Sequence, residues 1–380
     1  MKEKDFDVIV FGAGAPGVAA AVAAAEDGAR VLLADDVPCV GGEQVCGLMS
    51  HWQGSTEGFL MEHVRPVSRR AWGRPIFEPD DLRQVLESAL AQAGVSVLLR
   101  ARPIKAKVGN GRIKRVVFAT AGEQRRLSAW CYVDATAAGT LGRLAGCGLS
   151  AGEDALALNA RIGGIDTRVP GVFDPEALSQ WSERLRSGVA AEEYPAGLMF
   201  PRLTPLPRGG TAVLEASWRG VPGLDATAAE ALCRDYALAA IAFLRDAVPG
   251  YENCFLVNFA EQPLPVQPRQ PLRRRPGQCI LQGDGVEDIP VLTRRDAAQE
   301  QHAVPFGHFI CRDMDNLLLA RPADAAPDQL PLLLDAGYAV GRAAALAVAY
   351  DGHALKIEPG RVSRLLAGSR APQEDAYAEE

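Results

Sequence analysis

The chain has 380 residues and a mass of 40.4 kDa, too long for one small core and suited to one elaborate domain or to two. Hydrophobic residues at 48% and charged residues at 23% match ordinary globular chains and exclude a disordered or fibrous one. The 40 Lys and Arg against 47 Asp and Glu give a net charge of −7, without the basic balance that nucleic acid or an anionic membrane calls for, so neither is an expected partner.

The first element predicted is a strand at 7–11 (DVIVF), followed at once by Gly12-Ala13-Gly14-Ala15-Pro16-Gly17. An alanine-rich helix comes next, and a second apolar strand at 30–34 (RVLLA) ends on Asp35 and Asp36. In a G-x-G-x-x-G turn the first glycine makes the bend, the second admits a pyrophosphate to the backbone, and the third lets helix and strand pack closely. Free N–H groups and the dipole at the helix N-terminus then hold the phosphates. An acid at the end of the second strand accepts from the ribose hydroxyls, and Asp35, with Asp36 beside it, stands at that distance. Dinucleotide binding is the expectation; a tight turn in another α/β fold is the alternative.

A second glycine pair, Gly41-Gly42, lies within VPCVGGEQVCGLMSHW. Leu82, Val85, Leu86, Ala89 and Leu90 recur at helical spacing in 79–94, started by Pro79-Asp80 and stopped by Gly94. Residues 95–99 read as a buried strand. Residues 104–128 alternate around a Gly-Asn-Gly turn and predict a small β-meander, and 129–134 (AWCYVD) reads as a strand returning to the parallel sheet. Residues 150–270 hold more prolines, short alternating runs such as TAVLEASW, and one amphipathic helix over about 226–248, the pattern of an inserted antiparallel unit. The chain then returns with 315–320 (DNLLLA) and a glycine-interrupted helix over 332–349, and 367–380 reads as a polar tail.

The longest unbroken apolar stretch, 17–25, is about half of what a bilayer requires, and MKEKDFD is not a signal peptide, so the expected location is cytoplasmic. Eight dispersed cysteines are too dilute for a disulfide framework. Cys131, Cys147, Cys233, Cys254, Cys279 and Cys311 read as small buried residues. Cys39 and Cys46 could form a redox pair, but two unconnected thiols is the preferred reading. No Cys/His set has metal-ligand spacing, so no metal site is expected.

The segments together resemble the FAD-dependent oxidoreductase family with a glutathione-reductase-like, two-dinucleotide-binding fold. The likeness runs in order through DVIVFGAGAPGVAAAVAAAEDGARVLLAD, CVGGEQVCGL, FEPDDLRQVLESALAQAGVSVLL, CYVDATAAGTLGRLAGCG, ALNARIGGID, AVPGYENCFLV, PLRRRPGQCIL, DNLLLARP and GYAVGRAAALAVA, over nine-tenths of the chain. It implies an α/β fold: a Rossmann-like FAD-binding domain with parallel sheet and β-meander at 1–149 and 271–366, and an inserted α+β substrate domain with an antiparallel sheet at 150–270. It implies bound FAD, with Gly12, Gly14 and Gly17, and the intervening Ala15 and Pro16, on the pyrophosphate. Asp35 and Asp36 would face the adenosine ribose, Gly41 and Gly42 the ribityl chain and flavin ring, and Thr136 and Arg321 the cofactor from neighbouring strand ends. The helix carrying Gly337 and Gly341 would aim its N-terminus at the flavin. The chain departs from the family at Thr136-Ala137-Ala138, where Thr-Gly-Asp is usual, and in a shortened 322–330 loop without the family's Ser and His.

The expected activity is hydride transfer between a small organic substrate and flavin N5, of dehydrogenase or oxidase type. The alternatives are a flavin or NAD enzyme using the cofactor without redox turnover, and a partner subunit that kept the fold but not the site. Self-association is compatible with either. His51, after the second glycine box, is the first candidate base; Cys46 could face the flavin, and His308 could close over the site. Arg273 and Arg274, in an Arg-rich run, and His302 are candidates for binding substrate.

Overall fold

In chain order, strand β1 (Phe6–Phe11) leads into helix α1 (Ala15–Glu26) and β2 (Val31–Ala34), followed by two single-turn helices, α2 (Gly42–Val45) and α3 (Met61–Val64). The hairpin β3 (Ser68–Ala71) and β4 (Arg74–Phe77) precedes α4 (Pro79–Gln92) and β5 (Ser96–Leu98). Strands β6 (Arg102–Gly109), β7 (Arg112–Ala119), β8 (Gln124–Leu127) and β9 (Ala129–Asp134) run up to α5 (Thr140–Leu144). A second group holds β10 (Leu156–Gly163), α6 (Pro175–Ala190), β11 (Arg202–Pro205), β12 (Ala212–Trp218), α7 (Ala226–Ala247), β13 (Phe255–Phe259) and β14 (Leu264–Pro265). The hairpin β15 (Pro290–Arg295) and β16 (Gln301–Pro305) comes before β17 (Leu317–Leu319) and α8 (Leu330–Val348). The structure is a computed structural model describing residues 3–54, 58–71, 73–148, 156–191, 202–218, 226–265, 290–295, 301–311, 313–321, 325–326, 328–358, 360–362, 364 and 366.

Five strands make a parallel sheet in the order β17-β9-β1-β2-β5. Alternation along β1 sends Val8 and Val10 to one face, into a core shared with α1, α4 and α8, while Ile9 and Phe11 enter a second core with Ile113, Val116, Phe118 and Tyr132. The meander β6-β7-β8 therefore covers one face and the helices the other. Its β6–β7 turn uses Asn110 and Gly111, at φ 53° and 65°, the left-handed pair that a tight hairpin favours. Residues 95–99 were expected to be buried; instead β5 is the sheet's edge strand, with Val97 44% exposed, because among the described residues no strand pairs beyond it.

Helix α8 is long and apolar enough to cross a membrane, but 67% of that stretch is buried within the fold, where it crosses α1. The crossing explains its glycines. A Cβ at Gly337 would lie 2.0 Å from the Pro16 carbonyl oxygen, and one at Gly341 2.2 Å from that of Ala20. Only glycine lets the two backbones come so close.

Within 156–265, an antiparallel sheet runs β11-β12-β10-β13, with β14 also paired to β10, and α7 packs across it. Leu158, Ala160 and Ile162 of β10 point into its core with Leu214, Phe243 and Leu244. Asn159 and Arg161 point to the other face, toward the parallel-sheet unit. Arg161 pairs there with Glu78 at 3.7 Å and Asp80 at 3.3 Å, and Arg208 pairs with Asp81 at 3.1 Å, so ionic contacts fasten this sheet to the start of α4.

Candidate active site

The carboxyl ends of β1 and β2 and the start of α1 build the first part of the site. Gly12 has φ 107°, and a Cβ there would sit 2.9 Å from the backbone of Ala135 and Thr136; one at Gly17 would sit 1.7 Å from the Gly12 carbonyl oxygen. The protein's own packing demands both glycines. Gly14 differs: its φ is −69°, and a Cβ would meet nothing nearer than Pro16 Cδ at 3.8 Å. Its missing side chain leaves space beside the α1 N-terminus, where no side chain caps the helix. That is the feature an approaching phosphate requires. Ala15 and Pro16 open the helix, and Pro16 turns its carbonyl toward α8.

Asp35 closes the other side. Its buried carboxylate accepts from the Ala13 N–H through Oδ2 and from the Asp36 N–H at 2.7 Å through Oδ1. Burial pushes its pKa up to about 6, the Ala13 N–H opposes that shift, and the charge of Asp36 adds to it. An under-solvated carboxylate at this strand end suits hydroxyl donors from a ribose, whereas Asp36 is exposed.

The second glycine pair touches the first loop. Gly41 donates to the Ala13 carbonyl at 2.8 Å, and a Cβ on Gly42 would be 2.9 Å from Gly14 Cα. Gly41 and Gly42 hold φ of 100° and 45°. The next residue, Glu43, forms a buried ion pair with Arg321 at 2.7 Å, and Arg321 also reaches the Ala325 carbonyl at 3.3 Å. Arg321 was read as a cofactor contact; the structure commits its guanidinium to Glu43, which ties the end of β17 to the glycine box. The other Glu43 oxygen, Oε1, is buried and has no partner among the described residues.

Thr136 serves the floor of the loop. Its hydroxyl donates to Asp134 Oδ1 at 2.7 Å and accepts from the Thr140 N–H at 2.8 Å, while Asp134 Oδ2 takes the Gly142 N–H at 2.9 Å. Burial raises the Asp134 pKa against these hydrogen bonds. Gly337 and Gly341, expected to lie by the flavin, belong to the α1–α8 crossing; Gly337 comes two turns after the α8 start at Leu330. The helix start itself lies against the 51–53 segment, since Gln53 N–H donates to the Asp328 carbonyl at 2.7 Å.

Cys39 and Cys46 are joined by a disulfide, with Cα atoms 6.8 Å apart, which corrects the reading of two unconnected thiols and removes Cys46 as a free thiol. The bond spans the glycine pair. Cys131, Cys147, Cys233, Cys254 and Cys311 are buried, as read from the sequence, and Cys279 lies outside the described residues.

His51 is brought to a crevice of about 10 Å³, room for one water-sized group, between the two units. Leu48, Met49, Ser50 and His51 line it from one side, and Asn159, Thr204, Val213 and Glu215 from the antiparallel sheet. Burial lowers the His51 pKa below the usual 6.5, and the charges of Arg202 and Arg74 act the same way against Asp328. Asn159 donates through Nδ2 to the Gly47 carbonyl at 2.9 Å, which fixes its amide, and its buried Oδ1 has no partner among the described residues. Ser50 Oγ and Trp52 Nε1 are likewise buried with no partner among the described residues. Buried polar groups are nearly always satisfied, so Asn159 Oδ1 and Ser50 Oγ, whose residues both line the crevice, leave hydrogen-bonding positions open to a water or to one small polar group. Sequence reading missed Ser50 and Asn159. The signal for Asn159 was an amide inside the apolar alternation of LALNARIG; for Ser50 there was none.

The structure does not bring the other candidates to this crevice. His308 is half-buried in a short 3₁₀ turn over 306–309, and His302 pairs with Arg294 along β16. Arg273 and Arg274 lie outside the described residues.

Residues 7–265 match the protein family described as FAD dependent oxidoreductase. No curated protein matches the chain. Among solved structures, a geranylgeranyl bacteriochlorophyll reductase-like protein from Thermoplasma acidophilum aligns with 96% of this chain and 82% of its own, at 14% identity and a TM-score of 0.54. A flavin-dependent brominase aligns over 96% and 84%, at 12% identity and a TM-score of 0.51. Aklavinone-11 hydroxylase, solved with FAD and aklavinone, aligns over 92% of this chain but only 64% of its own, at 14% identity and a TM-score of 0.50. These likenesses speak to the fold, and the family match spans more than half of the sequence: the chain is an enzyme of the FAD-dependent oxidoreductase family.

Proposed function

We propose that the protein binds FAD between the Gly14 and Gly41-Gly42 loops and oxidises a small alcohol or amine that inserts only its hydroxyl or amino group into the crevice lined by Ser50, His51 and Asn159, as a dehydrogenase or oxidase. The observation that carries this reading is the cluster of buried, unpaired polar atoms where the antiparallel sheet meets the second glycine box. When bound, the cofactor supplies a two-electron acceptor at flavin N5.

The chain's own residues divide the remaining work. Gly14 would leave the α1 N-terminus open to the pyrophosphate, and Asp35 would accept from the ribose hydroxyls. Asn159 Oδ1 and Ser50 Oγ offer acceptors to a substrate O–H or N–H. His51, neutral at pH 7 because burial disfavours its charged form, holds a vacant ring position for the substrate proton. His51 would take the substrate's hydroxyl or amino proton, and FAD held at Gly14 and Gly41-Gly42 would supply the two-electron acceptor that oxidation of an alcohol to a carbonyl or an amine to an imine requires. Trp52 and Phe77, with ring centroids 5.7 Å apart, form an apolar wall behind the 50–52 segment that excludes water.

Anaerobic mixing of the FAD-loaded protein with a panel of small alcohols and amines tests this directly. Flavin bleaching by a member of the panel is expected, slowed about a hundredfold or more in His51→Gln. Failure to take up FAD contradicts the cofactor assignment. Bleaching that is indifferent to His51→Gln contradicts the proton assignment.

A further inference from the structure

We propose that a crevice at the amino-terminal edge of the parallel sheet is a second binding site, for a small phosphate-class dianion. It has a volume of about 260 Å³ and is lined by Lys4, Arg112, Ile113, Lys114, Ala129, Trp130, Asn316 and Asp351. Lys4 precedes β1, Ala129 and Trp130 open β9, and Asn316 precedes β17, so the crevice lies at the opposite end of the strands from the glycine loop. Six residues of β1 separate the two ends by roughly 20 Å.

Its charge is unbalanced. Among the described residues, three cationic side chains, Lys4, Arg112 and Lys114, line it against one carboxylate, Asp351, which leaves two positive charges there on a protein whose net charge is −7. The Lys4 pKa is lowered by burial first, then by Lys114, Arg112 and Arg115, with only Asp5 acting the other way. Arg112 also contributes to lowering the pKa of His353 nearby. A dianion filling the space would relieve that repulsion.

The wall is built before any ligand arrives. Arg112 donates to the Asp351 carbonyl, and Asp351 and Gly352 hold left-handed φ of 55° and 81° to present it. Buried Asn316 accepts from the Ile113 N–H at 2.9 Å and donates to the carbonyls of Ile113 at 3.0 Å and Trp130 at 3.2 Å, pinning both strands. Lys4 Nζ lies 5.5 Å over the Trp130 ring. A phosphate monoester carries the charge that matches two uncompensated cations, and the volume leaves room for a small organic body beside the phosphate.

Calorimetric titration of the full-length protein in excess FAD, which occupies the glycine loop, with inorganic phosphate and with phenyl phosphate tests the site. Saturable binding with a Kd at or below about 1 mM is expected, weakened at least about tenfold in Lys4→Ala/Lys114→Ala. Tighter binding of the ester than of inorganic phosphate assigns an organic phosphate as the ligand; equal binding assigns the free ion. Absence of saturable heat with both probes, or equal affinity in wild type and double variant, overturns the proposal. In phosphate-free buffer the double variant is expected to melt at or above the wild-type temperature, because it removes repelling charges. A lower melting temperature contradicts the unbalanced charge on which the site rests.

Discussion

The α1–α8 crossing and the junction with the antiparallel sheet lie on either side of the second glycine box, and they are built on opposite principles. At the crossing, backbone meets backbone: Gly337 and Gly341 stand against Pro16 and Ala20 among mostly apolar, buried side chains, and the polar groups at its edge pair with each other, Arg342 with Asp27 at 2.8 Å and Tyr338 with Glu26 at 3.3 Å. At the junction, polar meets polar: Arg161, Glu78 and Asp80 share charge, while Asn159 Oδ1, Ser50 Oγ and Trp52 Nε1 go without partners. The first region is finished without a ligand. The second is not, and the cost of its unpaired groups is what binding can recover.

This contrast can be broken by substitution. The largest effect is expected at the finished region: Gly337→Ala forces a Cβ against the Pro16 carbonyl and should lower stability by roughly 2–3 kcal/mol, read from the denaturation midpoint. A midpoint within about 0.5 kcal/mol of wild type would mean that the two helices are not in close contact.

Asp35 sharpens the contrast through pH. Its pKa is about 6 in the fold against 3.8 as the ordinary value, so the stability it contributes is greatest below about pH 4 and is lost as pH rises through 6. Ribose hydroxyls donate to the ionised form, so FAD binding releases a proton in that window. The affinity for FAD should rise about tenfold from pH 5 to pH 7 and level off above, and Asp35→Asn should flatten the curve. An equally steep curve in Asp35→Asn would assign the dependence to another group.

His51 gives the catalytic limb. Its pKa lies below 6.5, so the bleaching rate should be flat near pH 7 to 8 and fall only in more acid buffer, where the ring becomes protonated. The limb should vanish in His51→Gln. The smallest effect is expected at Ser50. Removing a buried hydroxyl that has no partner should leave the free protein as stable as before, or more stable by about 1 kcal/mol, while raising the KM of the substrate. A clear loss of stability in Ser50→Ala would show that the hydroxyl already has a partner in the free protein.

The nucleotide half of the molecule was legible in the sequence because each of its signals is local. Gly12, Gly17 and Asp35 sit at distances set by one strand, one turn and one helix, and the alternation of 104–128 sufficed for the meander. The junction was harder to read because its partners come from distant segments. Asn159 meets Gly47 across 112 residues, and Arg321 meets Glu43 across 278. Alternation along β10 sends Leu158, Ala160 and Ile162 into the antiparallel core, and Asn159 on the opposite face is still only 3% exposed because that face docks on the other unit. Gly337 and Gly341 were readable as glycines needing close approach, but what they approach is α1, which only the packing of two distant helices reveals. The Cys39–Cys46 bond depends in the same way on how the loop through Gly41 and Gly42 turns back on itself.

The central claim is that Gly14, alone of the three glycines in the first loop, is kept for a ligand and not for packing. Titrating FAD into wild type and Gly14→Ala, with melting curves on both, tests it most directly. The account predicts saturable binding to wild type, affinity weaker by about tenfold or more in the variant, and melting temperatures of the two free proteins that agree or favour alanine. Equal FAD affinity in the two proteins, or a variant that binds poorly only because it has lost its fold, would contradict it.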